Sequence, residues 1–486
     1  MSALQRALEA LQRGNPLSGE RIVTDAVKIA VQAYGAQSGR ACRAHFEASQ
    51  FFHAAGKPEE MLMSLQAAAR VVPHNEEEEA ARFGYLFQLG AALDRHGQLS
   101  AAEQVLRQLV TDLGETYGEL SQPVATGNTA LAGVLYEQGE IEEALALVDG
   151  AVQTLASLGD PGVAPALALR AFVVKAYSPV EPSFPEEMEL PAELVETLAE
   201  AALERVPQSA PPLALLALSD IEALVRQSLG DTHRLRGALL AQTVRTAAEA
   251  GDDDAQLRAL GVLEQLAKGA GDLLGQADIQ IALAEAHAAQ GRQAEAIAAF
   301  EQAARFAAQG RPARATAPRV LALGLARHAQ YRAAIGDDEE SRELMEQSVE
   351  AARDSKEQEL IGSCLTTQGV LLQHAGDESA SGKLEAALDL LPLGHPDADI
   401  ATEHLEALDE GRPCGCFGDT SLLQAVASAL EARLPAGLLR SVAQDQDGFR
   451  VDLARQPSPE EHQLVERALN EVLQEITAAA GADSDA

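Results

Sequence analysis

The chain has 486 residues with 74 Asp plus Glu against 37 Lys plus Arg, a formal charge of −37. Such a field repels phosphate backbones and anionic headgroups, which argues against nucleic acid and membrane surfaces as partners and favours a basic one. Hydrophobic residues make up 47% while aromatics make up 3% and Trp is absent; the apolar content is mostly Ala and Leu, the leading helix formers, where a sheet-rich enzyme would carry more β-branched and aromatic side chains.

At the start of the chain, MSALQRALEALQRG carries charges where a signal peptide needs an apolar core. The longest apolar run, Ala210 to Leu218, is far short of the roughly 20 residues of a membrane span. Cys42, Cys364, Cys414 and Cys416 are too few and too scattered for a disulfide framework. A cytoplasmic protein is expected. Basic charge comes mostly as Arg, and Asn occurs only at Asn15, Asn75, Asn128 and Asn470, a bias that fits a GC-rich bacterial genome.

A chain this long exceeds one compact core, so internal repetition is the first thing to seek. Gly56, Gly97, Gly139, Gly251, Gly291, Gly336 and Gly376 each follow an apolar-periodic stretch, and their successive spacings are 41, 42, 112, 40, 45 and 40 residues. Gly at such a place closes one helix and lets the chain reverse into the next. Leu89-Gly90, Leu93, Gly97, Ala102 and Leu106 repeat as Leu131-Ala132, Leu135, Gly139, Ala144, Val148 and Ala151, and again as Leu283-Ala284, Gly291, Ala296, Phe300 and Ala303. Phe52, Gly56, Met61, Leu65, Ala68 and Pro73 give a further copy.

These positions resemble the tetratricopeptide repeat family, over about two-thirds of the chain. The resemblance implies an all-α solenoid of stacked helix-turn-helix repeats with a concave groove suited to a peptide or a partner's helix. The period near 40 exceeds the family's 34 residues and implies longer helices.

Four segments are expected: an N-terminal array at 1–160, an irregular helical segment at 161–231, a second array at 232–409, and a C-terminal module at 410–486. The irregular segment contains Ser178 to Pro191, whose four prolines forbid regular helix, between helical patterns at about 164–176, 192–206 and 212–229. In the module, a helix from Ser421, strands at Leu438–Asp445 and Gly448–Arg455 around Asp447-Gly448, and a helix from Pro457 to about Ala479 predict an α-β-β-α unit. Two strands are marginal alone, so this unit packs on the array or pairs with a second copy as a homodimer.

Placing the family's inward-facing positions on this sequence gives Arg43, Phe46, Gln50 and His53, then Phe87 and Asp94, then Thr129 and Tyr136 as partner-binding candidates. The later repeats put Ile281, Glu285, Gln330, Thr366 and Gln373 there, a plainer surface. Asn and Lys suited to clamping a peptide terminus are nearly absent from these positions.

Cys414 and Cys416, with His395 and His404 upstream, supply thiolate and imidazole donors of the zinc type, although the spacing matches no zinc finger. A redox pair and an ordinary turn are the alternatives there. No phosphate loop, H-E-x-x-H, G-x-S-x-G or dinucleotide fingerprint occurs, so no enzyme and no further cofactor is expected. The function expected is a scaffold or adaptor that holds another protein or peptide in its groove. The alternatives are a sensor whose groove binds a peptide or small ligand, and a metal- or redox-responsive protein using Cys414 and Cys416.

Overall fold

The computed structural model describes residues 2–184, 190–310, 316–392, 394–409, 439–445 and 448–453, with isolated positions at 430, 433–434, 465 and 467–469. The chain packs as two units, 1–252 and 253–486. The first holds α1 (Ala3–Gln12), α2 (Pro16–Tyr34), α3 (Gly39–Ala54), α4 (Pro58–Ala68), α5 (Glu76–Arg95), α6 (Leu99–Tyr117), α7 (Gln122–Gln138), α8 (Ile141–Leu158), α9 (Val163–Tyr177), α10 (Ala192–Arg205), α11 (Pro211–Leu229) and α12 (Arg234–Ala250). The second holds α13 (Asp253–Ala270), α14 (Leu273–Ala289), α15 (Gln293–Gly310), α16 (Ala317–Ala334), α17 (Asp338–Ser355), α18 (Gln358–His374), α19 (Ala380–Leu388) and α20 (Pro396–Asp409).

In each unit a helix packs on its successor and on the helix after that, as α5 does on α6 and α7, and α16 on α17 and α18. The contact within a pair is set by small residues. Gly90 of α5 lies so close to α6 that a Cβ there would sit 2.6 Å from Leu106 Cδ2, and a Cβ on Gly369 of α18 would sit 2.6 Å from Leu384 Cδ2 of α19. Ala102, Ala144, Ala296 and Ser341, the small positions of the second helices, are all buried. A side chain larger than these would push the helices apart, because interiors are already filled to crystal-like density.

All seven turn glycines have positive φ, from 67° to 86°. Gly139 shows the device in full: left-handed at φ 86°, it ends α7 and lets its N–H and that of Glu140 return to Tyr136 and Leu135. Lys356, between α17 and α18, takes the same conformation at φ 62° without the freedom of glycine.

The 112-residue gap between Gly139 and Gly251 holds the helices expected there: α9, α10 and α11 fill the three patterned stretches, and α9 pairs with α10 as α11 does with α12. The division of the chain falls after Asp252, inside the stretch expected to be the second array, rather than at 160, 231 or 409.

The chain leaving α9 is tied down as far as Phe184 by buried charge. Lys175 Nζ donates to the Glu181 carbonyl at 2.7 Å and pairs with Asp220 Oδ2 of α11 at 2.8 Å, an oxygen that also accepts from the Ser183 N–H at 2.8 Å. Arg170 adds a bond to the Ser183 carbonyl at 2.6 Å. Burial alone would raise the Asp220 carboxyl, but the bonds from Lys175 and Ser183 outweigh it and hold it below its ordinary value.

At the far end, β1 (Leu439–Asp445) and β2 (Gly448–Leu453) form an antiparallel hairpin in the register Val442 opposite Val451 and Asp445 opposite Gly448. Cys414 and Cys416 fall outside the described residues, as do the helices expected at 421–434 and 457–479 but for isolated positions, so of the α-β-β-α module the hairpin is the part described.

Gly139→Ala places a Cβ in open space but in a left-handed backbone, and is expected to destabilise by about 1 kcal/mol in urea unfolding. Lys175→Met leaves Asp220 without its cation. It is expected to cost about 3 kcal/mol and to open residues 178–184 to proteolysis before any global transition.

Candidate functional site

Within the first unit, α3, α5 and α7 are the helices that carry the expected groove positions. At 100° per residue, α5 turns Leu86, Leu89, Gly90 and Leu93 into the core and leaves Gly84, Gln88 and Arg95 exposed. Its two flanks then face α3 on one side and α7 on the other, and each flank borders a cavity.

The first cavity, about 520 Å³, lies between α3 and α5 and includes Arg43, Phe46, Gln50 and Tyr85, with Glu77 and Glu78 from the start of α5. Phe46 and Tyr85 pack with ring centroids 4.9 Å apart, an aromatic wall able to hold an apolar anchor. Three of the expected residues therefore meet here. His53, on the same face of α3 two turns further along, is exposed and borders neither cavity.

The second cavity, about 350 Å³, lies between α5, α7, α9 and α10. Phe87 and Thr129 line it as expected, with Ala130, Pro165, Leu169 and, from α10, Arg205. Thr129 Oγ1 donates to the Ala125 carbonyl at 2.9 Å.

Asp94 and Tyr136 do not border this cavity but stand beside Arg205. Asp94 is two turns beyond Phe87 on α5, and Glu137 is two turns beyond Ala130 on α7. Arg205, the last residue of α10, lies over Gly133 of α7, where a Cβ would come 3.3 Å from Arg205 Nη2. A Cβ there would press on the guanidinium, so Gly133 gives it room.

The three charged groups influence one another without hydrogen bonding. Asp94 Oδ1, Glu137 Oε1 and Arg205 Nη1 are each shut off from solvent and lack a hydrogen-bond partner. Burial pushes the Glu137 carboxyl up to about 7, the charge of Asp94 adds to the rise, and Arg205 offsets only part of it. Burial raises Asp94 as well, against Arg205 and Arg95, and lowers Arg205 itself. Tyr136, its hydroxyl bonded to Ser209 after α10, is raised by burial. Two carboxylates and one guanidinium held apart in a desolvated place are costly to maintain, which makes the spot a candidate site.

Tyr85, Glu137 and Arg205 were absent from the sequence expectation. Tyr85 is two residues from Phe87 and so on the opposite flank of α5. Glu137 directly follows Tyr136, and an inward Glu in so acidic a chain carries no signal. Arg205 arrives from a helix outside the recognisable repeats.

In the second unit Thr366 and Gln373 are buried among the helices, while Glu285 is exposed. Thr366 is buried and bonds the Gly362 carbonyl at 3.2 Å, and Gln373 Oε1 meets His404 Nδ1 of α20 at 2.6 Å. Glu285 pairs with Arg327 at 3.7 Å. His404, counted with His395, Cys414 and Cys416 as a metal candidate, is therefore engaged by its Nδ1. His395 Nδ1 accepts the Asp397 N–H at 3.2 Å at the head of α20. Among the described residues no group of three or more His, Cys, Asp or Glu is placed to hold a metal ion, and no helix is long and apolar enough to cross a membrane.

No protein-family model matches the chain, and no curated protein does. Among solved structures it is similar to BtubC (BKLC) from P. vanneervenii, at 17% identity over 52% of this chain and 93% of that one, TM-score 0.31. It is also similar to the apo form of RapI, at 11% identity over 63% and 96%, TM-score 0.33. A tetratricopeptide repeat protein from Parabacteroides merdae shares 16% identity over 66% and 98%, TM-score 0.29. These superpositions are loose, and the repeat fold described above rests on the helix pairs themselves.

Glu137 supplies a check on the electrostatics. Its folded pKa lies above its ordinary 4.5, so its favourable contribution is complete below about 4.5 and is lost as pH climbs through about 7. Glu137→Gln should be close to neutral at pH 4.5 and stabilising by about 1 kcal/mol at pH 8 in paired unfolding curves, the half-exposed setting reducing the full value of the shift.

Proposed function

We propose that the protein is an interaction scaffold that holds a segment of another protein across α3, α5 and α7, and that it does so by binding rather than by catalysis. The observation that carries this reading is the trio of buried polar atoms without hydrogen-bond partners, one each on the half-buried Asp94, Glu137 and Arg205, beside a cavity already lined by Phe87 and Thr129. A purely structural surface would satisfy or omit such groups.

The two cavities flank α5 and so lie about one helix diameter apart, on the order of 10 Å. An extended segment of a few residues spans that distance, at about 3.3 Å per residue. The aromatic pair Phe46 and Tyr85 offers one apolar pocket and Phe87 with Leu169 another, while the first cavity carries Glu77 and Glu78 against Arg40, with Glu47 paired to Arg43.

Selection of soluble random peptides on the full chain tests this reading. The enriched peptides should lose about ten-fold or more in affinity when Phe46 and Phe87 are both changed to Ala, and should be indifferent to His53→Ala. Peptides indifferent to the Phe46 and Phe87 changes would place binding elsewhere.

A further inference from the structure

α3 borders a further cavity on the side turned away from the groove. His45 lies two residues beyond Arg43, about 200° round the helix axis, and with Ala67 of α4 it lines a cavity of about 710 Å³ that none of the groove residues borders. The link from α2 to α3, Gly35 to Ser38, supplies one wall, and Arg70, Val72 and His74 from the segment after α4 supply another. The two walls are tied together, because the Val72 N–H donates to the Gln37 carbonyl at 3.1 Å.

The charged residues of this lining are all basic: Arg70, His45 and His74, with no Asp or Glu. That runs against a chain with twice as many acidic as basic residues. Among the described residues no hydrogen bond or ion pair engages any of the three side chains. Glu78, which accepts the His74 backbone N–H at 2.9 Å, lines the cavity between α3 and α5 instead. Arg40 sits over the ring of Tyr34, another wall residue, 4.5 Å from its centroid. Tyr34 and Val72 are 52% and 47% exposed, which leaves apolar surface open in the same wall.

The net charge of the chain opposes any anion, but it is screened beyond roughly 10 Å at physiological salt, so the local set decides. A guanidinium matches two oxygens of an oxyanion, and each imidazolium adds an N–H for another. One permanent cation and two groups that take up protons suit a doubly charged oxyanion. The remaining room, beside Tyr34 and Val72, suits an apolar body.

We infer that this cavity binds a small organic phosphate, with Arg70, His45 and His74 holding the phosphate and Tyr34 and Val72 the body that carries it. The site stands apart from the groove, so its failure leaves the scaffold reading untouched.

Burial lowers His45 below its ordinary value, and a dianion beside it acts in the opposite sense. Arg70, His74 and Tyr34 share the cavity with His45, and Arg40 and Glu78 stand next to it. Binding therefore takes up protons on the imidazoles, and affinity falls as pH rises.

The full chain is titrated by calorimetry with phenyl phosphate, inorganic phosphate and phenol at pH 6.5 and pH 8, a range in which the ester is mainly dianionic. Phenyl phosphate should bind about ten-fold more tightly at pH 6.5 than at pH 8, and at pH 6.5 about ten-fold or more tightly than either of the other two. Arg70→Gln alters an exposed side chain; it should leave Tm unmoved and weaken the ester about ten-fold or more. His45→Gln should reduce the pH dependence. The inference is overturned if the unmodified chain does not bind the ester, binds it equally at both pH values, or binds it as Arg70→Gln does. Phenol binding as tightly as the ester removes the anion from the account, inorganic phosphate binding as tightly removes the apolar body, and either result overturns it too.

Discussion

The close approach of paired helices at Gly and Ala governs everything else in the structure. A chain with only 3% aromatic residues builds much of its core from Leu against small partners, as Leu106 fills the space left by Gly90 and Leu384 the space left by Gly369. That contact leaves each first helix little rotational freedom, and with it which residues turn outward. Because α5 and α7 are held in this way side by side, Phe87 and Asp94 run alongside Thr129 and Glu137, and the cavity follows from their alignment.

The same economy of bulk gives Arg205 room. Gly133 lacks a Cβ, so a guanidinium from α10 can lie against α7 and reach a place where two carboxylates already stand. Arg236 is likewise a buried cation between two acids, but it bonds both Glu222 and Asp231; what sets Arg205 apart is the unmet hydrogen bond of its Nη1. Lys175 with Asp220 shows the contrast: there every strong donor finds an acceptor, and the result is a strut that ties down a loop.

The helical repeats were readable because their signals are local. Seven glycines, spaced near-regularly on either side of one long gap and most with a small residue a few positions later, state where helices end and how closely they pack, and each of the seven has a positive φ. Between Gly139 and Gly251 the turns are made by other means, Gly159, Gly230 and a proline-bearing segment, so the gap looked irregular although it is built of paired helices. The site was legible only in part. Residues on the helices of the pattern, such as Phe46, Gln50, Phe87 and Thr129, could be placed by counting, whereas Tyr85 required knowing which flank of α5 faces α3. Arg205 required knowing that α10 ends over Gly133, a fact of tertiary packing that no periodicity encodes.

Amide hydrogen exchange on the full chain, with and without a selected binding peptide, tests most directly the claim that the flanks of α5 form the binding surface. Protection should appear in α3, α5 and α7 and at the end of α10 around Arg205, with the outward partners α6 and α8 little changed. Protection confined to α6 and α8, or to the second unit, would contradict it.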